Sequence, residues 1–219
     1  MKKLLFTTFA AIAILGCGSG QDSPNDEGGS CDIKGYKTVK IGDQVWIAKN
    51  LNCNVAGSKC YEDDPANCSK YGRLYDWATA MALPDSCNSN SCSSQIGEKH
   101  KGICPSGWHI PNNEDWSTLV DFVGYPEGIQ LKATSGWNSY QELYPGNGTD
   151  DYGFYALPGG VGDDEEWWDI GNYAYWWNAE EYGLSDSEAH YQAIAYDADY
   201  LEWYYGDKIR LHSVRCLKD

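Results

Sequence analysis

The densest chemistry in this chain lies between Asp163 and Trp177. Asp163-Asp164-Glu165-Glu166 runs into Trp167-Trp168-Asp169, and Tyr173, Tyr175, Trp176 and Trp177 follow. Flat aromatic faces beside carboxylates are what carbohydrate recognition uses. The rings cover the apolar face of a sugar, and the acids accept its hydroxyl protons. Trp167 and Trp168, next to four acids, are expected at the surface. With Tyr173, Asp163, Asp164, Glu165 and Glu166 they form the expected ligand-binding set. The same aromatic residues could instead fill a core that has only four Phe against 10 Trp and 17 Tyr. The acids, with Asp169, also offer oxygen ligands to Ca²⁺, as does Gly146-Asn147-Gly148-Thr149-Asp150-Asp151. Neither stretch has EF-hand spacing, so a solvated loop is expected for both. No metal ligand is assigned, and Ca²⁺ is the one cofactor left open.

Signals for catalysis are sparse. His100, His109, His190 and His212 show no metal spacing. There is no Gly-x-Ser-x-Gly, His-Glu-x-x-His or phosphate loop, and no Cys-x-x-Cys zinc spacing. No catalytic residue is assigned, and the chain is read as a non-enzyme. A carboxylate-dependent glycan-active enzyme is kept as a third reading, because 32 acids offer many pairs whose separation a sequence does not measure.

One further residue has chemistry written around it. Met1-Lys2-Lys3 precedes an apolar run over residues 4–15, broken only by Thr7 and Thr8, and Gly16-Cys17 closes it. This order resembles a bacterial lipoprotein signal. Residues 1–16 would be the removed signal peptide, and Cys17 would carry the lipid, palmitate included, that anchors the chain to a membrane. The run is about a dozen residues long, whereas a spanning helix needs roughly 20. Residues 17–30, rich in Gly, Ser, Asp and Asn, read as a flexible tether. The expected location is the bacterial cell envelope, at the outer membrane or cell surface. Export permits disulfides. Of nine cysteines, setting Cys17 aside leaves an even set: Cys31, Cys53, Cys60, Cys68, Cys87, Cys92, Cys104 and Cys216. A formal charge of −16 argues against nucleic acid as a partner, since phosphate contacts need a basic face.

The elements that must position these groups are partly legible. Residues 38–41 and 44–47 alternate apolar with polar around Gly42-Asp43, which predicts a β-hairpin. Leu74, Trp77, Ala78 and Met81 share one face of a helix that Pro84 ends. Asn112 or Asn113 offers an N-cap to a second helix with the face Trp116, Leu119, Val120 and Val123, and Gly124 offers a stop. Residues 53–67 and 85–96 read as irregular, with Cys87 and Cys92 able to close a local ring. Residues 190–196, 201–205 and 209–216 read as closing strands. One α+β domain over 31–219 results.

Several blocks within this domain are distinctive. They are Tyr71-Gly72-Arg73-Leu74-Tyr75-Asp76-Trp77, then Cys104-Pro105-Ser106-Gly107-Trp108-His109-Ile110-Pro111 with Trp116, then Leu131-Lys132 with Gly136-Trp137. Asp151-Tyr152-Gly153-Phe154 leads into Leu157-Pro158-Gly159-Gly160, and Trp176-Trp177 and Ser213-Val214-Arg215-Cys216 follow. In this order, from about Tyr36 onward, they resemble the Fibrobacter succinogenes major paralogous domain. The resemblance implies an exported lipoprotein or surface module with a C-type-lectin-like fold: two helices, short twisted antiparallel sheets and long disulfide-bonded loops. It also implies a Cys104–Cys216 bridge, worth roughly 4–5 kcal/mol by loop closure. Local rings at Cys60–Cys68 and Cys87–Cys92 follow, leaving Cys31–Cys53. Calcium-dependent sugar binding is not implied, because Trp177-Asn178-Ala179-Glu180 only half matches the lectin strand motif. The expected role is a carbohydrate-binding or surface-protein-binding envelope module. The alternative is a purely structural envelope lipoprotein without a small ligand.

Overall fold

A computed structural model describes residues 31–139 and 146–219. Residues 1–30, where the signal peptide, the acylated Cys17 and the tether are expected, lie outside the described residues. Within them the fold is α+β, with four α-helices and three small antiparallel sheets. No helix among the described residues is long and apolar enough to cross a membrane.

The hairpin forms as its alternation predicts. β1 (Thr38–Ile41) pairs with β2 (Gln44–Ile47), Ile41 opposite Gln44, so Gly42-Asp43 is the turn. Ile41, Trp46 and Ile47 are buried. Residues 53–67 depart from the irregular expectation. Asp64 accepts from the Ala66 N–H and Pro65 sits in the first turn of α1 (Pro65–Tyr71), a start signal that the surrounding cysteines obscure. The helix expected across Leu74–Met81 shrinks to α2 (Trp77–Ala80). Asp76 caps it by accepting from Thr79 N–H, while Leu74 and Tyr75 are extended and bridge Lys59 and His212.

After β3 (Trp108–His109), α3 (Asn113–Val123) opens on a capping box between Asn112 and Asp115 and ends at Gly124. Its face Trp116, Leu119 and Val123 enters a core with Trp46, Phe154 and Trp176. α4 (Glu127–Leu131) follows, an element the periodicity did not signal. Then come β4 (Gly159–Gly162), β5 (Trp167–Ile170), β6 (Tyr173–Glu181), β7 (Glu188–Ala195), β8 (Glu202–Asp207) and β9 (Leu217–Lys218). The sheets run β1-β2-β9-β3, β4-β5 and β6-β7-β8.

The strand expected over 209–216 is not one. Leu211 bridges Gly162, His212 bridges Tyr75 and Ser213 bridges Trp176 as isolated pairs, and regular pairing begins only at Leu217. Each residue serves a different neighbour, so no ladder extends. This segment joins the distinctive blocks. The buried Arg215 donates to Asn50 Oδ1 at 2.7 Å and to the Ile47 carbonyl at 3.2 Å. Trp176 Nε1 reaches the same Asn50 oxygen at 2.8 Å, and Asn50 Nδ2 donates to the Tyr71 carbonyl at 2.9 Å. Four disulfides pair Cys31 with Cys53, Cys60 with Cys68, Cys87 with Cys92 and Cys104 with Cys216.

Candidate aromatic binding site

β5 is short, and successive side chains of a strand point to opposite faces. Trp167 and Trp168 therefore part company. The Trp167 ring packs on Tyr61, centroids 5.3 Å apart, in a small cluster with Leu74 and Leu211. Gly162 lies beneath it, where a Cβ would come within 2.2 Å of the ring. On the other face, Trp168 takes the Arg210 guanidinium over its ring at 4.8 Å. Both tryptophans are half-buried. Gly160, at φ +68°, permits the close approach, since a Cβ there would lie 2.4 Å from the Trp168 carbonyl oxygen. Trp176 and Trp177 are both fully buried.

The four acids before β5 do not converge. Asp163 shapes the turn by accepting the N–H groups of Glu165 and Glu166 at 2.8 and 2.9 Å. Those two bonds hold its carboxyl below the usual range, with Arg210 and Lys59 adding to them. Asp164 pairs with Lys59 at 2.7 Å, and Glu165 is exposed. In the other proposed cation loop, Asp150 accepts the Tyr155 N–H and Asn147 the Trp137 N–H. Among the described residues no group of three or more His, Cys, Asp and Glu side chains is placed to hold a metal ion.

What β5 and β6 do assemble is a cleft of about 540 Å³. Trp168, Asp169, Tyr175, Tyr191, Arg210 and His212 line it, with Asp207 at its edge. Asp169 holds a left-handed backbone, φ +65°, and its carboxylate accepts the Tyr175 hydroxyl at 2.9 Å. Aspartate tolerates that conformation better than most residues. Burial, then the Asp169 charge, pushes the Tyr175 phenol far above its ordinary value, so it remains a donor. Tyr191 meets Tyr175 edge-on at 5.9 Å.

His212 forms the back of the cleft and is only 3% exposed. Its ring stacks on Trp177 at 4.1 Å and meets Tyr191 edge-on at 4.6 Å. Burial, assisted by Arg210, pushes its pKa down to about 3, so the imidazole is neutral at physiological pH. Its Nδ1 is buried and has no hydrogen-bond partner. A neutral imidazole has one donor and one acceptor nitrogen, and a buried polar atom left unpaired is costly.

A second cleft of about 470 Å³ adjoins the first and is lined by Tyr125, Tyr173, Asp197, Asp199, Tyr200 and Glu202, with Tyr204. Tyr173 lies parallel to Tyr175, centroids 5.3 Å apart, and Tyr204 stacks on Tyr191 at 5.7 Å. Behind it the Lys132 ammonium donates to the carbonyls of Ala195, Tyr196 and Ala198, fixing the turn between β7 and β8. Burial pulls Lys132 down to about 8, against the opposing pull of Asp199 and Asp197.

A larger cavity, about 660 Å³, lies elsewhere, between residues 31–36 and 65–73. Three of its cations are engaged: Arg73 with Ser58, Lys70 with the Tyr71 hydroxyl, and Lys34 near Asp32. It lacks the stacked tyrosine pairs that line the two clefts.

Of the expected ligand-binding set, Trp168 and Tyr173 thus line clefts. Trp167, Asp163, Asp164, Glu165 and Glu166 do not. Tyr191, Tyr204, Arg210 and His212 were missed. The alternation Ala189-Tyr191-Ala193 in β7 was the available signal for Tyr191, whereas nothing in the sequence brings residues 210–212 to β5.

The chain belongs to the Fibrobacter succinogenes major domain family, whose family model matches residues 39–218. No curated protein and no solved structure matches it significantly.

Proposed function

We propose that this protein is an exported, lipid-anchored module of the bacterial cell envelope that binds polysaccharide without turning it over. The observation that carries the reading is the cleft in which the Trp168, Tyr175 and Tyr191 rings meet the Asp169 carboxylate and the unpaired nitrogen of His212. Aromatic faces suit the C–H face of a sugar, and carboxylate and imidazole suit its hydroxyls. The lipoprotein-like start, with Cys17 as the acylated residue and residues 17–30 as tether, supports attachment at the outer membrane or cell surface. Sugar binding on this reading needs no Ca²⁺, because protein groups supply both stacking and hydrogen bonds.

The test is a pull-down of the full chain, extracted in detergent, on insoluble polysaccharides with and without chelator. Retention is expected to survive chelation and to be lost in Trp168→Ala. Trp167→Ala should lower stability while sparing binding, since that ring faces Tyr61. No retention of correctly oxidised, folded protein would overturn the polysaccharide reading in favour of a surface-protein partner or a purely structural role.

A further inference from the structure

The two clefts lie on one face of the β6-β7-β8 sheet. Strand register aligns Tyr173 with Ala195, Tyr175 with Ala193 and Glu202, and Trp177 with Tyr191 and Tyr204. Tyr173 and Tyr175 on β6 therefore stand beside alanines on β7, and Tyr204 rises from β8 beyond Tyr191. The clefts share their walls: Tyr173 and Tyr175 are one stacked pair, Tyr191 and Tyr204 another, and each pair contributes one ring to each cleft. Tyr173 and Tyr175 lie two residues apart on β6, about 7 Å at roughly 3.3 Å per residue, with one cleft at each ring.

The charge around this face is one-sided. Asp169 and Asp207 border the first cleft, and Asp197, Asp199 and Glu202 border the second. Among the described residues Arg210 is the single cationic side chain lining either one, and it is spread over Trp168 with Asp163 at 3.9 Å. Carboxylates accept hydroxyl protons and repel anions, so a polyanion is disfavoured along the whole face.

We infer that the two clefts work as one extended site for a neutral polysaccharide chain laid across the stacked tyrosines. This rests on the sugar-binding reading above and specifies its ligand. Joining two adjacent subsites on one chain raises apparent affinity through effective concentration, on the order of a hundredfold or more. A long oligosaccharide should benefit, whereas a disaccharide that fills one cleft should not.

The experiment is calorimetric titration of the full chain with soluble neutral glucan, mannan and xylan oligosaccharides, from disaccharide to hexasaccharide, with oligogalacturonate as the anionic comparison. At least one neutral series should bind, with affinity rising on the order of a hundredfold with length, and oligogalacturonate should bind more weakly. Tyr125→Ala/Tyr200→Ala, at well-exposed residues of the second cleft, should abolish the gain with length. Trp168→Ala and the fold-sparing Asp169→Asn should weaken every length. Length-independent binding, or a gain that survives the double variant, would overturn the joined site while leaving sugar binding at the first cleft intact. Preference for oligogalacturonate would overturn the neutral class. Absence of binding to any saccharide would remove the underlying reading and this inference together.

Discussion

Lys208 illustrates how single residues hold this fold. Its ammonium is fully buried and donates to the carbonyls of Cys87 at 3.0 Å and Asp186 at 2.7 Å and to Glu181 Oε1 at 2.7 Å, with the Trp77 ring 4.6 Å away. Burial pushes the Glu181 carboxyl up, but Lys208, Ser91 and the Cys92 N–H outweigh it and hold the group below its ordinary value. One cation thus fastens the Cys87–Cys92 ring, the end of β6 and the approach to β7. Removing it strands a buried carboxylate and several carbonyls. Lys208→Met should cost about 3–5 kcal/mol in denaturant unfolding, the usual loss for half of a buried pair. Nothing in the sequence marks Lys208 as different from the exposed lysines, because burial is a property of what surrounds it.

At the scale of elements, α3 carries a pH dependence. His109 on β3 contacts Asp219 at 2.8 Å through Nδ1 and Asp115, the capping-box residue of α3, at 3.3 Å through Nε2. Burial favours the neutral ring, but its hydrogen bonds to both carboxylates prevail and raise the pKa above 6.5. A raised folded-state pKa means the protonated form stabilises the fold. That contribution is complete below the unfolded value and is lost as pH rises through the folded one. Unfolding midpoints measured from mildly acidic to mildly alkaline pH should therefore fall more steeply in the wild type than in His109→Gln. Lys132, with its pKa lowered to about 8, acts with the opposite sign at more alkaline pH, so the difference between the two proteins isolates His109. The N-cap and the apolar face of α3 were legible because both are local patterns. The ties of His109 were not, since Asp219 lies 110 residues away.

Across the whole molecule, Cys104–Cys216 encloses a separation of 112 residues and Cys87–Cys92 one of 5. Loop closure predicts that Cys104→Ser/Cys216→Ser loses roughly 4–5 kcal/mol, and Cys87→Ser/Cys92→Ser distinctly less. Equilibrium unfolding of the two double variants checks the order. Sequence alone determined the features that short-range rules encode. These are the hairpin around Gly42-Asp43, the start and stop of α3, the even cysteine set and the family that the ordered blocks define. Alternation over a few residues, and the type of residue at a helix end, are enough for such features. Tertiary structure decided the rest. It turned Trp167 inward onto Tyr61 and Trp168 toward Arg210, although the two are neighbours in sequence. It brought residues 210–212 against β5 and β6, and it broke the expected 209–216 strand into separate bridges. The physical reason is that a cleft is a relation among segments far apart in the chain, fixed by which faces can be buried together.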